Sequence, residues 1–429
     1  MKKWSLIIGV CLLMGLTACG QGEGEVQPAD SKGIEHRGNS KPKSVVKELT
    51  DKERQQVLSK VNSGMVQAQN SFGLRLHEAL HQELEEDNLI ISPYSITQAL
   101  ALAYNGAAGD TASEMAAVLG WEEQDIASVN DGNQQLKLLL ERGSGVVLNA
   151  ANSVWYNRGI QMKPAYLDVM KNHYAAAAQA TDMESEEAKD AINKWVENNT
   201  GGMIPMIYDK PPGGVAALIN AIYFNGGWSN EFNAADTTDQ DFTLMDGRKK
   251  NVRMMKQERK YDYKEGESWQ AVRIPYGDGR MHMLVILPKE SSSLNELHQQ
   301  LWQDTSLWKD DFGYETVQLE LPKFKVEQTF ELPDALKSLG MVKAFSETEA
   351  DFSDMANDGD EFYVNYIKHK TVVDVSEKGT EAAAVTAVGV DTTSMPLEPI
   401  QMQINRPFFF AIEDRDTGTW LFMGSVMNP

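Results

Sequence analysis

The chain has 429 residues, 42% hydrophobic and 24% charged, the composition of a folded protein with a large core and not of a disordered one. Its formal net charge of −22 argues against a nucleic-acid partner, because phosphate binding needs a clustered basic surface. The one basic-looking run, Arg248-Lys249-Lys250 through Arg253, Lys256, Arg259 and Lys260, is broken by Glu258 and alternates with apolar residues, as an exposed strand face does.

The amino-terminal stretch MKKWSLIIGVCLLMGLTACG sets Lys2 and Lys3 ahead of a short apolar run. That is the layout of an export signal, and it is too short for a comfortable membrane-spanning helix. Its end, Leu16-Thr17-Ala18-Cys19, resembles the lipobox of bacterial lipoproteins, which implies cleavage after residue 18 and a lipid on Cys19. The alternative is a plain small-residue cleavage site beside an incidental cysteine. Cys11 leaves with the signal, so the mature chain is expected to hold together without a disulfide. Residues 19–63, rich in Gly, Glu, Gln, Ser, Lys and Pro, read as a flexible tether. A coil of roughly 40 residues spans on the order of 35 Å. The expected address is the outer face of a bacterial membrane, held through the lipid on Cys19, or release from it.

From residue 64 to 429 no linker interrupts the pattern, which predicts one large domain. Helical spacing of apolar residues predicts helices over 66–86 (Phe72, Leu76, Leu80, Leu84), 95–106, 111–119 with Gly120 at its end, 163–173 and 186–199. Strands are predicted over 215–224, 251–256, 270–275, 281–287, 316–326, 362–375, 400–405, 408–413 and 419–425. A helix-rich front and a strand-rich back, without regular alternation, define an α+β fold with antiparallel or mixed sheets.

Two enzyme-like patterns stand out. His77-Glu78-Ala79-Leu80-His81 is a literal H-E-x-x-H, the helical zinc-peptidase pattern. No third His follows at a useful spacing, and His36, His173, His282, His298 and His369 suggest no partner. Both histidines are assigned to the polar side of the helix, and no metal site is expected. A Ser–His–acid set can be drawn from Ser92 or Ser95, His369 and Asp374, but nothing like G-x-S-x-G surrounds either serine. "SPYS" reads as a helix start with Ser92 as its cap, and these groups are expected in a buried hydrogen-bond network. No phosphate loop, dinucleotide fingerprint or cysteine metal site is present. The protein is therefore not expected to be an enzyme.

The stretch SEKGTEAAAVTAVGVDTTSMP, residues 376–396, has no charge from Ala382 to Val390. Numbered with period two, Thr380, Ala382, Ala384, Thr386, Val388, Val390 and Thr392 form one small or apolar face. Between Thr380 and Thr393 every charge falls on the other face, so this part is patterned to bury one side in a sheet. Gly379 tolerates the turn ahead of it, although Gly379, Gly389 and Pro396 also punctuate the stretch as a loop. The segment is suited to both states.

At this point the chain resembles the serpins, over essentially all of residues 66–429. The motifs in family order are NLIISPYSITQALALAYNGAAGDTASEM (88–115), INKWVENNTGGMIPMI (192–207) and INAIYFNGGWSNEF (219–232). They continue with LPKFKVEQTFELPDALKSLGMVKAFSETEADFSDM (321–355), VNYIKHKTVVDVSEKGTEAAAVTAV (364–388) and INRPFFFAIEDRDTGTWLFMGSVMNP (404–429). The resemblance implies helices packed around three β-sheets, with an exposed reactive-centre loop. It also implies a monomeric suicide-substrate inhibitor of extracellular serine proteases, with papain-like cysteine proteases left open. A protease cleaves the loop, and the loop inserts as a strand in the central sheet before the acyl-enzyme is released. Inserting roughly 14 residues at about 3.3 Å each carries the protease about 45 Å. About ten new ladder bonds at ~0.5–1.5 kcal/mol release on the order of 10 kcal/mol, so the native state is a kinetic trap.

Matched residue by residue, the family's hinge falls on Glu377, Gly379, Thr380, Glu381, Ala382, Ala383 and Ala384. The sheet-gating shutter falls on Ser92, Ser95, Asn220 and His369, with Trp228 at the point of loop entry, the breach. Typical loop length puts the reactive bond at Thr393–Ser394, and counting back from INRPF moves it about three residues on, with Met395 disfavoured by Pro396. Met203 stands where the family usually has Lys, and Val385 is bulkier than the usual Ala. No Lys or Arg lies between Gly379 and Asn405, which favours elastase-like or subtilisin-like targets over trypsin-like ones. Only Lys137 and Arg142 are basic along 132–142, so no heparin-type cofactor is expected. The rival within the family is a non-inhibitory member, a binding or structural surface protein.

Overall fold

The computed structural model describes residues 49–84, 87–141, 146–304, 311–357, 362–380 and 398–429. Their helices are α1 (Asp51–Leu58), α2 (Ser63–Leu84), α3 (Pro93–Tyr104), α4 (Gly109–Leu119), α5 (Ile126–Glu141), α6 (Pro164–Val169), α7 (Glu186–Asn199), α8 (Leu294–Gln303) and α9 (Pro333–Ser338). Their strands are β1 (Leu89–Ile91), β2 (Val146–Asn157), β3 (Ala177–Thr181), β4 (Ala216–Gly227), β5 (Thr238–Thr243), β6 (Lys249–Glu265), β7 (Trp269–Tyr276) and β8 (Met281–Pro288). The series continues with β9 (Gly313–Pro322), β10 (Phe324–Glu331), β11 (Tyr366–Ser376), β12 (Gly379–Thr380), β13 (Ile400–Gln403), β14 (Phe408–Asp414) and β15 (Thr419–Val426).

The strands form two ladders. A six-stranded sheet runs β10-β11-β12-β4-β2-β3, with β11 and β4 also paired directly. A nine-stranded sheet runs β1-β15-β14-β8-β7-β6-β9-β13, with β5 on β6. Within it, the long β6 pairs through Lys249–Met254 with β5 and through Asp262–Glu265 with β7. Two smaller sheets therefore run into one another through β6, and the three expected sheets appear as two continuous ladders.

Alternation along the strands explains how the layers close. In β14, Phe409 packs into one core cluster and Phe408 and Phe410 into another, so this strand is buried on both faces. Helix α3 lies beneath the sheets with Pro93 to Ala103 buried, started by the Ser92 cap and by Pro93 in the first turn. Helix α7 covers the six-stranded sheet, where Ile192 and Val196 meet Trp155, Ile219 and Val372.

The described residues lie in one compact unit, Val46–Pro429. That unit starts inside the expected tether. Residues 51–58 form α1, begun by a complete capping box between Thr50 and Glu53. Arg54 fixes it by ion pairs to Asp414 (3.2 Å) and Asp416 (2.7 Å), with the Arg54 and Asp414 side chains at 4% and 0% exposure. A second difference concerns residues 316–326, predicted as one strand. Lys323 breaks the run into β9 and β10, which belong to different sheets.

Candidate functional site: the sheet gap and the loop hinge

Strands β4 and β11 run parallel, in register from Tyr366–Ala217 to Val372–Tyr223. Midway along that ladder His369 stands opposite Asn220, and both are fully buried. The backbone N–H of Ser92 donates to His369 Nε2 at 3.1 Å, so that nitrogen carries no proton. Nδ1 then holds the proton and donates it to Asn220 Oδ1. Asn220 Nδ2 in turn donates to the Ser95 carbonyl at 2.8 Å, to Ser95 Oγ and to Asn152 Oδ1. Burial pushes the His369 imidazole down to about 3, so it is neutral at ordinary pH. One fixed tautomer thus ties β4, β11, β2 and the start of α3 at the middle of the gap.

The structure brings the four expected shutter residues together and adds Asn152, which stands opposite Asn220 in the β2–β4 pairing. That position was readable only once β2 was known to lie beside β4. The Ser–His–acid arrangement does not form. Ser92 meets the imidazole through its amide, its hydroxyl donates to the Leu421 carbonyl, and Asp374 pairs with Lys325 at 3.7 Å.

Above Val372 the gap opens and β12 enters it. Thr380 stands opposite Val375 of β11 and Gly226 of β4, and Gly379 opposite Ser376 and Gly227. Gly379 has φ 140°, and a Cβ there would lie 2.1 Å from the Gly226 carbonyl oxygen, so only glycine fits. Thr380 is wholly buried, its hydroxyl 2.7 Å from that of Tyr276. Trp228 stacks on the Tyr276 ring (centroids 4.3 Å, 12°), donates its indole N–H to the Ser376 carbonyl (2.9 Å) and its amide to Lys378 (3.0 Å).

Glu377 is held from three sides, by Lys323 Nζ at 2.8 Å, by the Thr237 hydroxyl at 3.0 Å and, through its carbonyl, by the Phe232 amide at 2.8 Å. Burial works to raise its pKa, but the hydrogen bonds from Lys323, the backbone and Thr237 prevail and hold it below the usual value. Of the expected hinge, Glu377, Gly379 and Thr380 are described; Glu381, Ala382, Ala383 and Ala384 lie outside the described residues, as do Thr393, Ser394 and Cys19. Tyr276 was not singled out from the sequence, where it is one of several aromatic residues in strand-like runs.

The histidine motif is placed differently from expectation. His77 is fully buried, not on the polar side of α2. The Trp302 indole N–H donates to His77 Nδ1 at 3.3 Å, and the Ser425 hydroxyl lies 3.3 Å from His77 Nε2 and 2.7 Å from His298 Nε2. The apolar face of α2 is wide enough to take His77 in, and α8 supplies His298, whose ring centre is 4.6 Å from that of His81. Burial lowers the His77 pKa, reinforced by His298 and His81. Among the described residues no group of His, Cys, Asp or Glu is arranged to hold a metal ion. The basic run lies on β6 from Lys249 onward, and three of its cations pair across strands, Lys249 to Asp241 (3.1 Å), Arg253 to Asp239 (3.2 Å) and Lys256 to Glu320 (3.1 Å).

The parallel pair β4 and β11 thus holds β12 in its open end, with the buried His369–Asn220 hydrogen bond midway along the ladder. The family model for serpins (serine protease inhibitors) matches residues 67–429, and the chain belongs to that family. It is 38% identical over 374 residues to an uncharacterized serpin-like protein of Thermococcus kodakarensis, covering 85% of this chain and 86% of the relative. It is 33% identical over 380 residues to leukocyte elastase inhibitor A of Mus musculus, covering 84% and 98%. Among solved structures, the thermophilic serpin tengpin in its native state superposes with TM-score 0.78 at 30% identity, covering 90% of this chain and 96% of that one. Thyroxine-binding globulin in complex with thyroxine gives 0.77 at 27%, covering 85% and 99%.

Proposed function

We propose that this protein is a suicide-substrate inhibitor of extracellular serine proteases, trapping the acyl-enzyme by inserting loop residues 379–393 between β4 and β11. The observation that carries the reading is the pairing of Gly379 and Thr380 to both strands at once, with Thr380 uncharged and wholly buried. The small, charge-free face that follows in the sequence, Ala382 to Val390, continues that pattern. Fold alone leaves a binding function open, since thyroxine-binding globulin shares it. A charged or bulky residue at the seat of Thr380 would favour that reading, and none is present.

The absence of Lys and Arg from Gly379 to Asn405 favours elastase-like or subtilisin-like targets, because a trypsin-like pocket would bury an unpaired acid against this loop. Similarity to leukocyte elastase inhibitors of mouse and human supports that preference. We assign the reactive bond to Thr393–Ser394 and, through a lipid on Cys19, the address to the outer face of the bacterial membrane or to release from it.

The test mixes purified protein with subtilisin, pancreatic elastase and trypsin, followed by denaturing gels and mass spectrometry of the released peptide. A boiling-resistant complex with either of the first two, and none with trypsin, is expected. Cleaved chain alone with every protease, with no rise in thermal stability on cleavage, would give the non-inhibitory reading first place.

A further inference from the structure

Thr380 is seated in the gap while the protein is intact, and one side chain outside the six-stranded sheet holds it there. Its backbone is satisfied by pairing to β4 and β11. Its hydroxyl points instead to Tyr276, the last residue of β7 in the nine-stranded sheet. A hydroxyl buried in such a slot needs a partner, since an orphaned one is penalised by its full desolvation. Tyr276 is itself fully buried and cannot swing away. Its ring is clamped between Trp228 (4.3 Å, stacked) and Phe224 (5.1 Å, edge-on), and its Cα register bridges Trp228.

We propose that Tyr276 is a positioning residue for loop insertion, its hydrogen bond to Thr380 keeping the first loop residue docked between β4 and β11 before any protease is bound. Strand growth is slow at its nucleus, where backbone freedom is given up before many ladder bonds form. With Thr380 already docked, insertion after cleavage propagates from an existing nucleus, in a race against hydrolysis of the acyl-enzyme. The Trp228 indole holds the Ser376 carbonyl on the other side of the turn, so the seat is fixed on both sides of Gly379. The consequence for inhibition rests on the inhibitory reading above; the docking of Thr380 does not.

The experiment is a double-mutant cycle on the full chain, Tyr276→Phe and Thr380→Val, with two readouts. The first is amide hydrogen exchange at residues 379–380 in the intact protein. Tyr276→Phe leaves the Thr380 hydroxyl unpaired and is expected to speed exchange about tenfold or more, whereas the double variant, apolar on both sides, returns toward wild type. The second is the stoichiometry of inhibition of elastase or subtilisin. It is expected to rise in each single variant and to fall back in the double, with an unchanged rate of loop cleavage. Exchange within twofold of wild type in Tyr276→Phe, or a double variant no better than either single one, would overturn the latch. Thr380→Val reaches the bond from its other side should the Tyr276 variant fold poorly. If wild type forms no complex with any protease, the inhibitory reading fails, while the exchange cycle still decides whether Tyr276 seats Thr380.

Discussion

Thr380→Arg is the substitution with the most to say about the proposed insertion. The Thr380 side chain is wholly buried between two strands, with the Tyr276 hydroxyl as its polar neighbour. An arginine there must either carry an uncompensated charge into the slot or keep the hinge out of the sheet. A buried, unpaired charge is penalised by about 3–5 kcal/mol, which slows the first step of insertion by about two to three and a half powers of ten. Acylation takes place at the far end of the loop and is not touched. The partition therefore moves from trapping to turnover, and the stoichiometry of inhibition should climb from about one to well above about ten. Residual elastase or subtilisin activity, titrated against inhibitor, reads this directly, with Thr380→Ser as the control that keeps the hydroxyl. A stoichiometry for Thr380→Arg within about twofold of wild type would refute the claim that insertion grows from a buried residue 380.

Acid should weaken the native state through His369. Its folded pKa, near 3, lies below the ordinary 6.5, so below pH 6.5 the unfolded chain binds the extra proton and stability is lost progressively down to about pH 3. Between pH 7 and pH 5 this one group accounts for about 2 kcal/mol. Urea unfolding of wild type and His369→Gln at the two pH values should show a correspondingly smaller loss in the variant, and equal losses would remove His369 from the account. Arg54→Ala should destabilise the protein by about 3–5 kcal/mol, because Asp414 is left as a buried charge without its partner. A thermal midpoint unchanged from wild type would show that α1 adds nothing to the domain.

The elements that could be read from sequence were those whose periodicity matches a single environment. Helices α2, α3, α4 and α7 and strands β7, β8, β14 and β15 lie where the apolar spacing put them. Strand β2 was not predicted, because Asn149, Ala150, Ala151, Asn152 and Ser153 lack the branched and aromatic residues that mark strands. Those small and polar residues are there for the gap, where Asn152 reaches Asn220. Helix α8 was missed although Ser293 caps it and Leu294, Leu297 and Leu301 have helical spacing, so that signal was available. Helix α1 was hidden by a polar, charged composition, and what holds it is an ion pair more than 350 residues away in sequence. The shutter and hinge residues came from the family resemblance, whereas Tyr276 emerges only when β7 and β12 are seen side by side.

The same geometry explains why a lock and a seat sit on one gap. In the proposed insertion, β4 and β11 must part, and the ladder from Tyr366 to Val372 is given up together with the His369–Asn220 bond. The incoming strand runs antiparallel to both neighbours, as β12 already does, so two ladders replace one. The net gain is about one strand of hydrogen bonds, and antiparallel pairing is slightly the more stable per residue. The gain arrives only after the parallel ladder has opened, which places the barrier at the middle of the gap. A buried polar network there raises that barrier, while a docked Thr380 at the open end keeps the replacement strand in register. His369 thus bears on both the stability of the waiting state and the opening of the sheet, whereas Tyr276 bears on the register from which insertion starts. Variants of His369 should shorten the life of the intact protein and also speed sheet opening, whereas variants of Tyr276 should leave that lifetime unchanged and lower the share of cleaved loops that trap their protease.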